Sequence, residues 1–233
     1  MRVTSVLLAV TLAAATLVTP YAAAQAGEVG PTVVGGGPAS SGPWAAGLYT
    51  ADGGFGFFCS GTIIAKRWVL SARHCVSGFT ADHVYVGNVT MYKGTRAKVK
   101  RVATAPDSDF ALLELSTDVK ATYAPLATAD PRVGAAVDFY GWGTTSQSDE
   151  WTPSPVLKKG TLRVIDYGED VYGGPSIHGE KIDAVAGYGD SGGPMFSNGK
   201  LVGVCSWGDL EYVHSDYGSV ARNRAWIRDT AGV

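Results

Sequence analysis

Apolar and β-branched residues run through this chain in short bursts, each closed by Gly, Pro, Asp or Asn, and several alternate with polar positions in the period-2 manner of a half-buried strand. Residues 55–58, 62–65, 68–71, 83–86, 97–103 and 110–115 form one set of six predicted strands. Residues 135–140, 157–165, 181–184, 195–196, 201–206 and 217–220 form a second. The crossover between the sets falls near Pro125-Leu126. Apolar residues return at helical spacing across residues 220–228, which predicts one terminal helix. The pattern therefore predicts an all-β protein ending in a helix.

The N-terminus follows a different rule. Met1-Arg2, an apolar run over residues 6–18 and the ending Ala22-Ala23-Ala24-Gln25-Ala26 have the charge, apolar stretch and small-residue exit of a secretory signal peptide over residues 1–26. The apolar core falls short of the roughly 20 residues that a spanning helix needs. The mature chain is thus expected to be secreted, extracellular and free of the membrane once the signal is removed. Residues 27–32, with Gly and Pro and no periodicity, read as a short propeptide.

Charge excludes one class of partner. The formal net charge is only -2, which gives no drive towards nucleic acid. The basic stretch Lys93, Arg96, Lys98, Lys100 and Arg101 alternates with Ala97 and Val99, as the solvated face of an edge strand does. Export permits a disulfide among the three cysteines.

Chemistry enters with Gly189-Asp190-Ser191-Gly192-Gly193-Pro194, which seats one serine among glycines whose N–H groups can converge on a developing oxyanion. Serine is a weak nucleophile near neutral pH, so it needs a histidine base and an orienting carboxylate. Ser71-Ala72-Arg73-His74-Cys75 supplies a histidine, and Asp107-Ser108-Asp109-Phe110 an acid at the mouth of an apolar run. The same glycines satisfy the G-x-S-x-G pattern of the α/β-hydrolase elbow, where the order is Ser, acid, His. Here it is His74, Asp109, Ser191, and too little chain follows Ser191 for that fold.

These segments resemble the chymotrypsin/trypsin family of serine endopeptidases, whose triad the same His, Asp, Ser order matches. Val33-Val34-Gly35-Gly36 looks like the family's mature N-terminus, and Pro43-Trp44-Ala45-Ala46-Gly47-Leu48 like the strand that follows. Cys59-Ser60-Gly61-Thr62, Trp68-Val69-Leu70, Gly141-Trp142-Gly143 and Ser206-Trp207-Gly208 stand in the family's order. The resemblance implies two six-stranded antiparallel β-barrels over residues 33–233, about 33–122 and about 123–219, with a C-terminal α-helix over about 220–229. It also implies a disulfide between Cys59 and Cys75, leaving Cys205 as a buried small hydrophobe in the run Leu201–Cys205.

The resemblance further assigns roles. Ser191 would attack a peptide carbonyl, His74 would move the proton and Asp109 would hold the ring, while the N–H groups of Gly189 and Ser191 would form the oxyanion hole. Asp190 would receive the ammonium of Val33 after the propeptide is cut, and Thr32 before Val33 departs from the basic residue of trypsin precursors. Counting back from Ser191 sets Val185 at the base of the specificity pocket, with Tyr188, Ser206, Trp207 and Gly208 in the substrate-binding walls and Gly208 leaving the entrance open. Ser215 is a further candidate for the lining. An apolar base favours apolar or aromatic residues before the scissile bond. A two-residue slip would substitute Asp183 and give Arg/Lys specificity instead.

No cofactor or metal is expected. Gly87-Asn88-Val89-Thr90, standing where relatives carry an acidic calcium loop, lacks carboxylates for a hard cation. Asn88-Val89-Thr90 is also a formal glycosylation sequon. His83, His178 and His214 match no motif and read as surface or packing residues. The expected partners are protein or peptide substrates and protein protease inhibitors, with the enzyme a monomer. The rival from another class is a non-catalytic homologue that uses the double barrel as a binding module.

Overall fold

A computed structural model of the chain describes residues 34–145, 151–209 and 213–233. The predicted signal peptide, the propeptide and Val33 lie outside these. The strands are β1 (Val34–Gly35), β2 (Gly37–Pro38), β3 (Ala45–Tyr49), β4 (Phe57–Ala65), β5 (Trp68–Ser71), β6 (His83–Val86), β7 (Thr95–Thr104), β8 (Ala111–Leu115), β9 (Ala136–Gly141), β10 (Lys158–Glu169), β11 (Pro175–Lys181), β12 (Ala184–Val185), β13 (Pro194–Ser197), β14 (Lys200–Asp209) and β15 (His214–Ser219). Two short helices complete the set, α1 (Arg73–Gly78) after β5 and α2 (Arg224–Ala231) at the end.

The first barrel closes in the order β3-β4-β5-β8-β7-β6, all antiparallel. The second runs β11-β15-β14-β13-β9-β10 and closes through the β10–β11 hairpin, with β2 added along β10. Closure abolishes free sheet edges. The lysine- and arginine-rich β7 is therefore a paired wall and not the edge strand its alternation suggested. Its Ala97 turns inward, while its basic residues meet acids outside: Lys98 with Asp82, Lys100 and Arg101 with Glu114, and Arg96 with Asp52.

Membership of the strands differs from the sequence pattern in particular places. Residues 57–58 and 62–65 belong to one bulged strand, β4, with 55–56 in the turn before it, and the sixth strand of the first barrel is β3. β3 is buried on both faces, Ala46 and Leu48 into the barrel core and Ala45 and Tyr49 into a second cluster with Phe57, Trp142 and Leu157. No polar alternation marks such a strand. In the second barrel the strand expected over 181–184 is β11, ending at Lys181, while Ala184–Val185 pairs with β1.

The barrels are joined by a crossover that is hydrogen-bonded to each. Ala124 N–H donates to Ile63 O on the first barrel at 3.0 Å, and Leu201 on the second donates to Pro125 O at 2.8 Å and accepts from Ala127 N–H at 2.9 Å. Helix α2 starts four residues later than its spacing suggested, because 220–223 form a turn. It buries Ile227 and ends at Gly232, whose left-handed backbone lets its N–H bond Arg228 O. Among the described residues, no helix is long and apolar enough to cross a membrane.

Candidate active site

His74 sits on α1 next to Cys75, which is bonded to Cys59 on β4. The six-residue helix is too short to hold itself together, so this disulfide and Asp109 fix it. The Asp109 carboxylate, fully buried, accepts His74 N–H on Oδ1 at 2.9 Å and meets His74 Nδ1 on Oδ2 at 2.7 Å. An ionised carboxylate only accepts, which assigns the ring proton to Nδ1 and leaves the Nε2 lone pair free to take a proton. Ser206 Oγ on β14 donates to the same Oδ2 at 2.7 Å. Ser206 also lines the cleft, as its substrate-binding assignment expects, so its hydroxyl serves the acid while its backbone remains at the cleft wall.

Ser191 arrives from the second barrel on the turn between β12 and β13. Ser60 of β4 holds that turn, its N–H donating to Ser191 O at 2.9 Å and its hydroxyl to Gly189 O at 2.9 Å. Gly192, with φ of 78°, allows this contact because a Cβ there would come within 2.1 Å of Ser71 Oγ. Among the described residues, neither the Gly189 nor the Ser191 N–H donates to another group, and no hydrogen bond joins Ser191 Oγ to His74. Such bonds are often long in unliganded enzymes and tighten around substrate.

Asp190 turns away from the cleft and is buried. Its carboxylate accepts Gly143 N–H at 2.8 Å and Gly187 N–H at 2.9 Å, yet burial still pushes the carboxyl up to about 6. It fills space that side chains at Gly141 and Gly143 would take, since a Cβ on either would fall within 2.5 Å of its atoms. This explains why Gly141-Trp142-Gly143 reads as it does. The proposed partner of Asp190, Val33, lies outside the described residues, but the next residue, Val34, is paired across to Val185.

A cleft of about 530 Å³ brings together His74, Ser191, Tyr188, Ser206, Trp207 and Gly208. Asp209 also lines it. Val185 is wholly buried, paired across to Val34, and is absent from the cleft lining. At Gly208 an added Cβ would lie 2.2 Å from Ala186 O, so the backbones of the two walls stand close together there. Ser215 is buried and accepts Ala186 N–H at 3.1 Å. Asp183 is exposed, its carboxylate held by Thr161 N–H at 2.6 Å.

The remaining candidates fall into place as packing. His83 is buried against Tyr49, and His178 pairs with Asp216 beside His214. Cys205 is free and buried, its thiol pushed well up by desolvation. Among the described residues, the one cluster with metal-ligand proximity is Cys59, His74 and Cys75. Its two sulfurs are bonded to each other, so neither is the thiolate that a metal requires.

The family model for trypsin matches residues 33–227. A trypsin of Simulium vittatum is 33% identical over 194 residues, covering 71% of this chain and 77% of that protein. Among solved structures, mouse neuropsin, a serine protease, superposes with a TM-score of 0.71 at 24% identity, over 82% of this chain and 95% of its own. A scabies mite inactivated protease paralogue superposes with a TM-score of 0.70 at 23% identity, over 82% and 92%. At those identities the structures speak for the fold, while the family match extends across both barrels and into the terminal helix: the chain belongs to the trypsin family and is a serine endopeptidase.

Proposed function

We propose that the protein is a secreted endopeptidase that cleaves peptide bonds through an acyl-enzyme formed on Ser191. Ser191 Oγ attacks the carbonyl carbon as its proton passes to His74 Nε2. The C–N bond then breaks as that proton goes to the departing amine, and water repeats the sequence to release the acid. The observation that carries this reading is the Asp109 carboxylate, which takes the His74 backbone, the His74 ring and Ser206 at once beside a cleft that Ser191 enters. Three donors on one buried anion fix both the tautomer and the tilt of the imidazole. The amides of Gly189 and Ser191 serve the oxyanion.

Maturation belongs to the same reading. Removal of residues 1–26 and 27–32 frees the ammonium of Val33, which pairs with Asp190. The β1–β12 register supports this, because it ties the residue after Val33 to the segment leading into the Ser191 turn. Contact between Gly208 and Ala186 supports a closed pocket in the uncut chain. The preference for apolar or aromatic residues before the scissile bond rests on the sequence count that sets Val185 at the pocket base, and the engagement of exposed Asp183 by Thr161 speaks against Arg/Lys specificity.

The second reading, a binding module without catalysis, draws on the same wall contact and on the fold shared with an inactivated paralogue. A serine-phosphonylating reagent separates the two. Chain beginning at Val33 is expected to be labelled once, at Ser191, and to cleave peptides with an apolar residue before the bond faster than matched Arg peptides. Absence of labelling sinks the catalytic reading. Arg peptides favoured tenfold in kcat/KM, about 1.4 kcal/mol, would transfer the pocket role to Asp183.

A further inference from the structure

The hairpin tip between β10 and β11 carries a second buried carboxylate on the far side of Asp109. Asp170 is buried, and one of its oxygens closes the tip by accepting Tyr172 N–H at 2.9 Å and Gly174 N–H at 3.0 Å. The other leaves its own barrel and accepts the backbone N–H of Asp109 at 2.8 Å. The two residues that follow also reach the catalytic set. Val171 N–H donates to Ser206 Oγ at 3.2 Å, and Tyr172 Oη is 3.2 Å from Ser77 Oγ on α1. The Tyr172 ring lies 4.1 Å beneath the guanidinium of Arg73, which itself donates to Ala105 O and Pro106 O. Gly174 permits the approach, because a Cβ there would come within 2.3 Å of Ser108 Cβ.

We propose that Asp170 is a positioning residue for the reaction, acting from the second barrel to fix the backbone of Asp109. This rests on the triad proposed above. Asp109 has to satisfy three donors with two oxygens, which is met only if its Cα stands in one place. Its side chain is held by the groups it serves, so its main chain needs an independent anchor. A charge-assisted bond from a buried carboxylate is a strong one. The chemistry also explains why the residue is Asp: a single acceptor oxygen serves either the hairpin tip or the Asp109 amide, and two are needed for both. The next two residues carry the same hairpin onto Ser206 and onto the helix of His74, so one turn bears on the acid, its serine partner and the base.

Asp170→Asn separates anchor from hairpin. Its carbonyl can keep the tip amides, which turns the amide NH2 towards the N–H of Asp109. With chain beginning at Val33, kcat for a peptide substrate is expected to fall at least about tenfold, as small misplacements of catalytic groups do. KM should change less than twofold and the melting temperature by only a few degrees. The low-field proton resonance of the His74 Nδ1–H should shift or broaden. Asp170→Ser, whose hydroxyl accepts one tip amide but falls short of Asp109, serves if the Asn variant does not fold. Unchanged kcat with an unshifted resonance overturns the inference while leaving the triad intact. A fall in kcat that merely follows loss of folded protein, with the resonance unmoved in the folded fraction, overturns it too. Failure of the wild type to be phosphonylated overturns the triad and the inference together.

Discussion

Two aspartates near Ser191 are buried for opposite ends. Asp109 is surrounded by donors that serve its charge, whereas Asp190 meets only two amides and its carboxyl is pushed up to about 6 by burial. A carboxyl raised above its unfolded value of 3.8 holds its proton more tightly when folded. Its contribution to stability is then complete below the unfolded value and lost as pH rises through about 6. Chain that retains residues before Val33 is therefore expected to lose stability from about pH 4 to about pH 6, and Asp190→Asn to remove that slope. Thermal melts of both across this window measure the difference, with the raised carboxyl of Asp216 common to each. For the triad, Ser191→Ala and His74→Ala should each cost several powers of ten in kcat, and the double variant scarcely more, since the residues act as a unit. Losses that add in logarithmic units would falsify the shared role.

At the level of elements, what could be read from sequence followed from how tightly chemistry or period constrains a segment. Gly189–Pro194 was legible because a nucleophile turn needs glycine where backbone and substrate meet, and Asp109 because it stands at the mouth of an apolar strand. β11 was not legible, since Pro-Ser-Ile-His-Gly-Glu-Lys offers one large apolar residue, Ile177, and its pairing with β10 and β15 decides its state. Asp170 was equally silent, because Asp beside Gly173 and Gly174 is what any turn would contain. Its distinguishing contact is with a residue 61 positions away. The β1–β12 pair carries a prediction of its own. Chain with even a few residues before Val33 should fold yet show almost no turnover. Clean cleavage at Thr32-Val33 should restore it, as an activity assay paired with N-terminal sequencing will check. Full activity from a chain starting at Gly27 would refute the ammonium mechanism.

Across the whole molecule, the proposed acid and base belong to the first barrel and the nucleophile to the second. Ser60 and Asp170 each reach over to steady the other barrel's contribution. Activity consequently depends on the alignment of the barrels as well as on the integrity of each. In rising urea, turnover is expected to vanish before the far-ultraviolet circular dichroism of the strands changes, and coincident transitions would argue against that dependence. The crossover sets a limit on such misalignment. A flexible linker would let the two barrels gape like jaws, but Ala124 is bonded to Ile63 on one side while Pro125 and Ala127 grip Leu201 on the other. The join is a stitched seam with no slack in it. On the proposed reading, a folded protein is expected to be cut only where an exposed loop can reach the cleft lined by Tyr188 and Trp207, and limited proteolysis of a folded substrate checks this.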